Sequence, residues 1–442
     1  MRNLTYLTLM TLAVQGCGVV PVNHTTADTA ETPALPSATQ APQSSRQSID
    51  TVAANVQAPE NTSAPSVPSW EVDGEPIIAE TIMINDEAID FNHSNPTWSP
   101  NGELLAIERH DEKNREIQIL SKDGNPVKTV KFENESADES DVDLSLLLPG
   151  FVDKIRYSAS ISWAPDSNNF VYMSNGEDSN YDIYASSMSQ TESKRITDDP
   201  EKDGHAVWSP KGNEIAFISG RQGSAGIYLH DITSQQVSSL TTGTDSYLYP
   251  EWSPNGTALA VIYGTNENHD IYIVSTIPGA DGSITSTHLV TWGYDDLRPV
   301  WSPDGSKIAF YSNYNQEGDT KKWALMVIDA KAGPYSDESQ LSSYVIAENV
   351  IPDLNRGPAW MPDSQHLVYV RNDKDEFNPI EVVNIRSKTV SRLQTNTKMN
   401  SDINISSKQV IAFRAQVDQW DQIFISTIPE KGDTNPSPEE QL

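Results

Sequence analysis

Cysteine is all but absent. Cys17 is the only one among 442 residues, so no disulfide can form within the chain. Positive charge is scarce too: 30 Lys and Arg stand against 62 Asp and Glu, a formal balance of −32. Such a surface repels nucleic acid and anionic lipid; it suits cationic partners, divalent ions or plain solubility. No apolar run reaches the ~20 residues that a membrane-crossing helix needs. Nor is there a Gly-x-Ser-x-Gly elbow, a His-Glu-x-x-His pair or a phosphate-cradling glycine loop, so the common hydrolase, zinc-protease and nucleotide-binding motifs are missing.

What is present is repetition. Pro299-Val300-Trp301-Ser302-Pro303-Asp304-Gly305 precedes the apolar run Ile308-Ala309-Phe310-Tyr311. Pro303 presets φ for the first central position of a turn, Asp304 suits the second, and Gly305 tolerates positive φ, so the stretch predicts strand, tight turn, strand. The same pattern surrounds Trp98, Trp163, Trp208, Trp252 and Trp360, at intervals of about 65, 45, 44, 49 and 59 residues. Further β-prone runs follow most copies, as at Asp270-Ile271-Tyr272-Ile273-Val274. About four short strands per ~45 residues is the signature of a β-propeller blade.

This Trp-Ser-Pro-Asp/Asn-Gly hairpin resembles the TolB-like (WD-like) propeller repeat over roughly residues 76–428. The resemblance implies an all-β propeller at 70–430, and counting the repeats gives seven blades, with six as the alternative. Strands at 402–405, 409–413 and 422–426 lack the Trp hairpin and form a degenerate last repeat. An N-terminal strand at 76–84 is expected to complete it and so remove an open sheet edge.

The first 16 residues have the layout of a signal peptide, and Val14-Gln15-Gly16-Cys17 resembles a bacterial lipobox. Lipidation of Cys17 would anchor the chain, and Gly18 after it favours the outer membrane, facing either the periplasm or the cell surface. Residues 17–69, rich in Ala, Thr, Ser, Pro and Gln, read as a disordered tether, and 431–442 as a disordered acidic tail. Only about fourteen residues follow Ile428, which argues against the hydrolase domain that accompanies such propellers in prolyl-oligopeptidase-type enzymes. The acidic insert 133–143 reads as a solvated loop; its acids lack EF-hand spacing for calcium.

Propeller sites lie where the loops open around the channel. The loops entering the inner strands carry His93, Tyr157, Asp203, His205, Tyr247, Tyr249, Trp292, Tyr294, Asp296, Arg298, Asn355 and Arg356. Tyr, Trp and Arg are the usual anchors of interfaces, so this face is expected to bind. The function expected is a tethered, non-catalytic scaffold for an envelope protein partner, binding no nucleic acid and touching membrane only through its lipid. The alternatives are a metal-dependent polysaccharide lyase-like enzyme at the channel mouth and a carbohydrate-binding surface lipoprotein using Trp292 and Tyr294. Oligogalacturonate lyases, also propellers, use histidines and a metal, which raises the question of a site built from His93, His205 and Asp203. No cofactor is expected, with a divalent cation in the channel left open.

Overall fold

The computed structural model describes residues 72–84, 91–110, 115–132, 160–175, 180–241, 246–265, 268–290, 292–314, 322–331, 333–373 and 377–427. All belong to the compact unit Ala64–Leu442. The leader, Cys17, the tether, Tyr157, the insert at 133–143 and the acidic tail lie outside the described residues.

Strands dominate, and the α-helix at Leu341–Tyr344 is a single turn. Among the described residues five sheets have four strands each, and a sixth has nine. In the fifth repeat, Asp296–Trp301 pairs with Lys307–Ser312, which pairs with Trp323–Asp329, which pairs with Val345–Ile351. That last strand also meets His366–Arg371 of the sixth repeat, through Val350↔Arg371 and Ile351↔Val370, and so fuses two repeats into the nine-stranded sheet.

The Trp-Ser-Pro turn works as its residues dictate. Ser302 Oγ bonds to Asp304 Oδ1 at 2.6 Å and accepts from Lys307 N at 2.9 Å, and Gly305 N donates to Ser302 O at 2.8 Å. Gly305 sits at φ +70°, a conformation open to glycine at little cost. Two turns have serine there instead, Ser167 at φ +56° and Ser364 at +58°. Each hydroxyl reaches a neighbouring turn, accepting from Asn101 N and Asp304 N respectively, both at 3.0 Å.

Four of the tryptophans tie their repeat to the one before it. Trp163, Trp252, Trp301 and Trp360 donate their indole N–H to the backbone carbonyls of Thr97, Val207, Glu251 and Val300, at 3.1–3.2 Å. Each acceptor directly precedes the previous repeat's tryptophan. Between the sheets lie fully buried aromatics, Phe217, Phe310 and Phe413 at matching positions and Phe170 two residues earlier in its own repeat. Burial on this scale is the main favourable contribution to folding.

The segment expected as one strand at 76–84 divides in two. Glu80–Met83 runs antiparallel to Trp420–Thr427, with Met83 opposite Phe424 and Thr81 Oγ bonded to Ser426 Oγ at 2.7 Å. Ile77–Ile78 instead lies parallel to Val390–Gln394 of the sixth repeat. Packing accounts for the division. Ile77 and Ala79 press on a core shared by the sixth and last repeats, which includes Leu393, Ile403 and Phe413.

Candidate functional site in the channel wall

Each inner strand carries an irregularity at one position, three residues before the tryptophan. Asn95, Ser160, His205, Tyr249 and Arg298 all have φ between 48° and 55°, Gly357 stands at 82°, and Asp402 holds the matching place in the last repeat at 51°. Strand pairing shifts register there in five of these repeats, the mark of a β-bulge. Left-handed backbone is uncommon for His, Tyr and Arg. Such strain concentrates at functional sites and re-aims the side chains that carry it.

The side chains of Ser160, His205, Tyr249 and Arg298, with Gly357, meet around a cavity of about 420 Å³. Inner-strand residues of all six tryptophan repeats and of the last repeat line it, among them Ser160, His205, Tyr249, Glu251, Arg298, Asn355 and Arg356. His205 meets Tyr249 edge to face at 4.8 Å, and the Arg298 guanidinium lies 4.4 Å from the centre of the Tyr249 ring. Arg298 Nη2 donates to Asn355 O. Arg356 Nη2 donates to Asn95 O at 2.8 Å and also to Thr97 Oγ1, while Asn355 Nδ2 donates to Asn95 Oδ1 at 2.9 Å. Asp353 shapes this loop by accepting from Asn355 N and Arg356 N at 2.9 and 3.0 Å.

The electrostatics are unusual for so acidic a chain. Arg109, Arg115, Arg195, Arg221, Arg371 and Arg414 each contact a carboxylate. Among the described residues Arg298 and Arg356 have no carboxylate contact of that kind, and the Nε of each lacks a hydrogen-bond partner. Burial pushes the Glu251 carboxyl up to about 7, against the pull of both arginines. Burial raises Asp353 as well, with Asp402 adding repulsion. His205 is pushed down to about 3, first by burial and then by Arg298, so its ring is neutral at ordinary pH. Glu251, His205 and both arginines stand in the cavity wall, with Asp353 behind it.

Five of the twelve expected site residues therefore share this wall: His205, Tyr249, Arg298, Asn355 and Arg356. Tyr157 lies outside the described residues, and the other six lie elsewhere. His93 is buried, its pKa lowered to about 4 by burial and by Arg109. Asp203 is buried and gripped by Arg221 Nη2 at 3.1 and 2.9 Å. Tyr247 stacks in a cluster with Tyr263 and Tyr272. Trp292, expected on the surface, is a core residue packed on Tyr344, Tyr335 and Phe310, and Tyr294 packs at the edge of the same core. Its large apolar ring draws Trp292 inward, beneath the helical turn that bears Tyr344. Asp296 is buried between repeats. Among the described residues no three His, Cys, Asp or Glu side chains are placed to hold a metal ion, and His93, Asp203 and His205 do not converge on one.

Sequence reasoning overlooked Asn95, Ser160, Glu251 and Gly357. Aligning the repeats on their tryptophans would have found the position three residues upstream.

Stacked repeats of antiparallel sheet whose inner strands surround a polar cavity define a β-propeller. Residues 151–335 match the TolB beta propeller domain, and the repeats of this chain are TolB-like. Among solved structures, oligogalacturonate lyase from Vibrio parahaemolyticus is 14% identical over 81% of this chain and 99% of that one, with a TM-score of 0.55. A manganese complex of oligogalacturonate lyase is 11% identical over 80% and 97%, at 0.54. TolB from Acinetobacter baumannii is 18% identical over 69% and 67%, at 0.45. At such identities the likeness concerns the fold alone. No curated protein matches the chain.

Proposed function

We propose that this chain is a non-catalytic interaction scaffold: a seven-bladed propeller, tethered through a lipidated Cys17 to the outer membrane, that binds an envelope protein at its channel. The sevenfold count takes the nine-stranded sheet as two blades and draws support from the seven left-handed positions of the inner strands. Closure of the last blade by Glu80–Met83 is supported by its pairing with Trp420–Thr427. The lipobox-like sequence and the composition of residues 17–69 support the tether.

The observation that carries the binding reading is the cavity wall. Tyr249, Arg298 and Arg356 form a cluster of interface-type side chains, and among the described residues no carboxylate contacts its two guanidinium groups. Desolvated Tyr and Arg in a pocket are the usual energetic centre of an interface. The wall suits a partner segment that brings a carboxylate to the arginines and an apolar surface to Tyr249.

The test is capture of an envelope partner by the full chain and by a Tyr249→Ala/Arg298→Ala variant whose melting midpoint is checked in parallel. Loss of capture by a folded variant is expected. Undiminished capture would place the partner on another surface. The rival reading, a metal-dependent lyase-like enzyme, draws on the likeness of fold and on the neutral His205 ring in the wall. Ultraviolet absorbance of an unsaturated uronide, released from oligogalacturonate with manganese added, would favour it.

A further inference from the structure

The third and fifth repeats begin their inner strands alike and then diverge. Asp203 pairs in register with Ser219, as Asp296 does with Ser312, and each aspartate lies two residues before a left-handed position. Both side chains are fully buried. In the third repeat a cation answers the charge: Arg221, two residues beyond Ser219, donates to both Asp203 oxygens and to Ser219 Oγ. The equivalent place in the fifth repeat is Tyr314, whose hydroxyl is turned to Glu348 at 2.9 Å. Among the described residues neither oxygen of Asp296 receives a full hydrogen bond; the neighbouring donor that acts on it is the Ser312 hydroxyl.

The surroundings deepen the deficit. The charged groups acting on Asp296 are themselves acids, Asp270 and Asp295. Asp295 is occupied, by His269 Nδ1 at 3.0 Å and Asn313 Nδ2 at 2.8 Å. Asp270 uses Oδ2 on His288 Nε2 at 2.9 Å, but its Oδ1 is buried without a partner. Three carboxylate oxygens of Asp270 and Asp296 are thus left without a full hydrogen bond where the fourth repeat meets the fifth, with the Ser312 hydroxyl beside Asp296. Native interiors rarely leave such groups unmet, and a buried unpaired carboxylate is among the costliest of them.

We propose that a hard, oxygen-seeking cation of the calcium type binds between the fourth and fifth repeats at Asp296, Asp270 and Ser312, taking the place that the Arg221 guanidinium fills in the third. The two carboxylates balance a divalent charge. Carboxylate and hydroxyl oxygens are the donors that calcium takes, whereas zinc would seek histidine or thiolate. With only two acids the site falls short of a transition-metal cluster, and water or backbone carbonyls complete the shell. The cation acts as an internal staple between repeats, separate from the cavity residues of the binding reading.

The full chain, stripped by chelator, is melted at constant ionic strength with calcium, magnesium or sodium chloride added. At a hundredfold excess over the dissociation constant, the midpoint of the wild type should rise by about 4 °C. The ion that gives the rise is the ligand. Asp296→Asn should abolish the rise. If that variant fails to fold, Tyr314→Arg replaces it. This substitution supplies a guanidinium in place of the ion, so the stripped protein should melt higher than stripped wild type and no longer respond. No response of the wild type to any of the three ions overturns the proposal: Asp296 would then hold a proton. A response that survives either substitution places the ion elsewhere and overturns it equally.

Discussion

Arg221→Ala tests what a single guanidinium does for a buried acid in this fold. The side chain makes a two-point contact with Asp203, at 3.1 and 2.9 Å, and lies 4.7 Å from the centre of the Tyr228 ring. Removing one member of a buried pair strands the other, at a cost of about 3–5 kcal/mol. Loss of the cation–π contact adds about 0.5–1 kcal/mol. The expected destabilisation is therefore about 4 kcal/mol, read from urea denaturation followed by tryptophan fluorescence at pH 7.5. The sign of its pH dependence is fixed. Burial raises the Asp203 carboxyl above its ordinary value even with Arg221 present. A carboxyl raised in the folded state favours folding when protonated, and that contribution is lost as pH rises through its folded pKa. Without Arg221 the folded value rises further. The deficit should thus shrink as pH falls from 7.5 toward 5, and Arg221→Ala/Asp203→Asn should recover much of it at pH 7.5. A loss below about 1 kcal/mol, or one equal at both pH values, would refute the reasoning.

The indole ties make a paired prediction. Trp252→Phe leaves Val207 O without its donor and should cost about 1–2 kcal/mol more than Trp208→Phe, whose indole bonds to Gly212 O within its own turn; equal losses in urea titrations would refute the inter-repeat role. For His205, the ring should stay neutral down to about pH 4, because burial and Arg298 hold its pKa near 3. Nuclear magnetic resonance of the ring protons checks this, and a midpoint near 6.5 would show the wall to be well solvated.

The repeat was legible because its parts answer local rules. Pro303 and Gly305 set a turn, and the runs around Phe217 and Phe310 can only be buried. Grouping in space was far less legible. His205, Tyr249 and Arg298, expected at a channel mouth, share one cavity wall, yet Trp292, in the same loop class, turns into the core. Nothing in one sequence says whether an aromatic beside a strand faces a cavity or a helical turn that arrives fifty residues later. The division of the 76–84 segment was hidden for a related reason: which outer strand Ile77 meets depends on the apolar surface offered by Leu393 and Ile403.

Departures from the repeat reward more attention than its consensus, as the serine turns illustrate. Ser364 occupies the place of Gly305 at φ +58°, where glycine is preferred by about 1 kcal/mol. Its hydroxyl accepts from Asp304 N at 3.0 Å, a bond between repeats that contributes about 1 kcal/mol and that glycine cannot make. The two effects nearly cancel, so Ser364→Gly should change stability by less than about 0.5 kcal/mol. Ser364→Ala loses the bond and keeps the backbone strain, so it should cost about 1 kcal/mol, although it is the milder change by volume. If alanine proved no worse than glycine, the hydroxyl would be idle, and the serine would mark only a position where strain is tolerated.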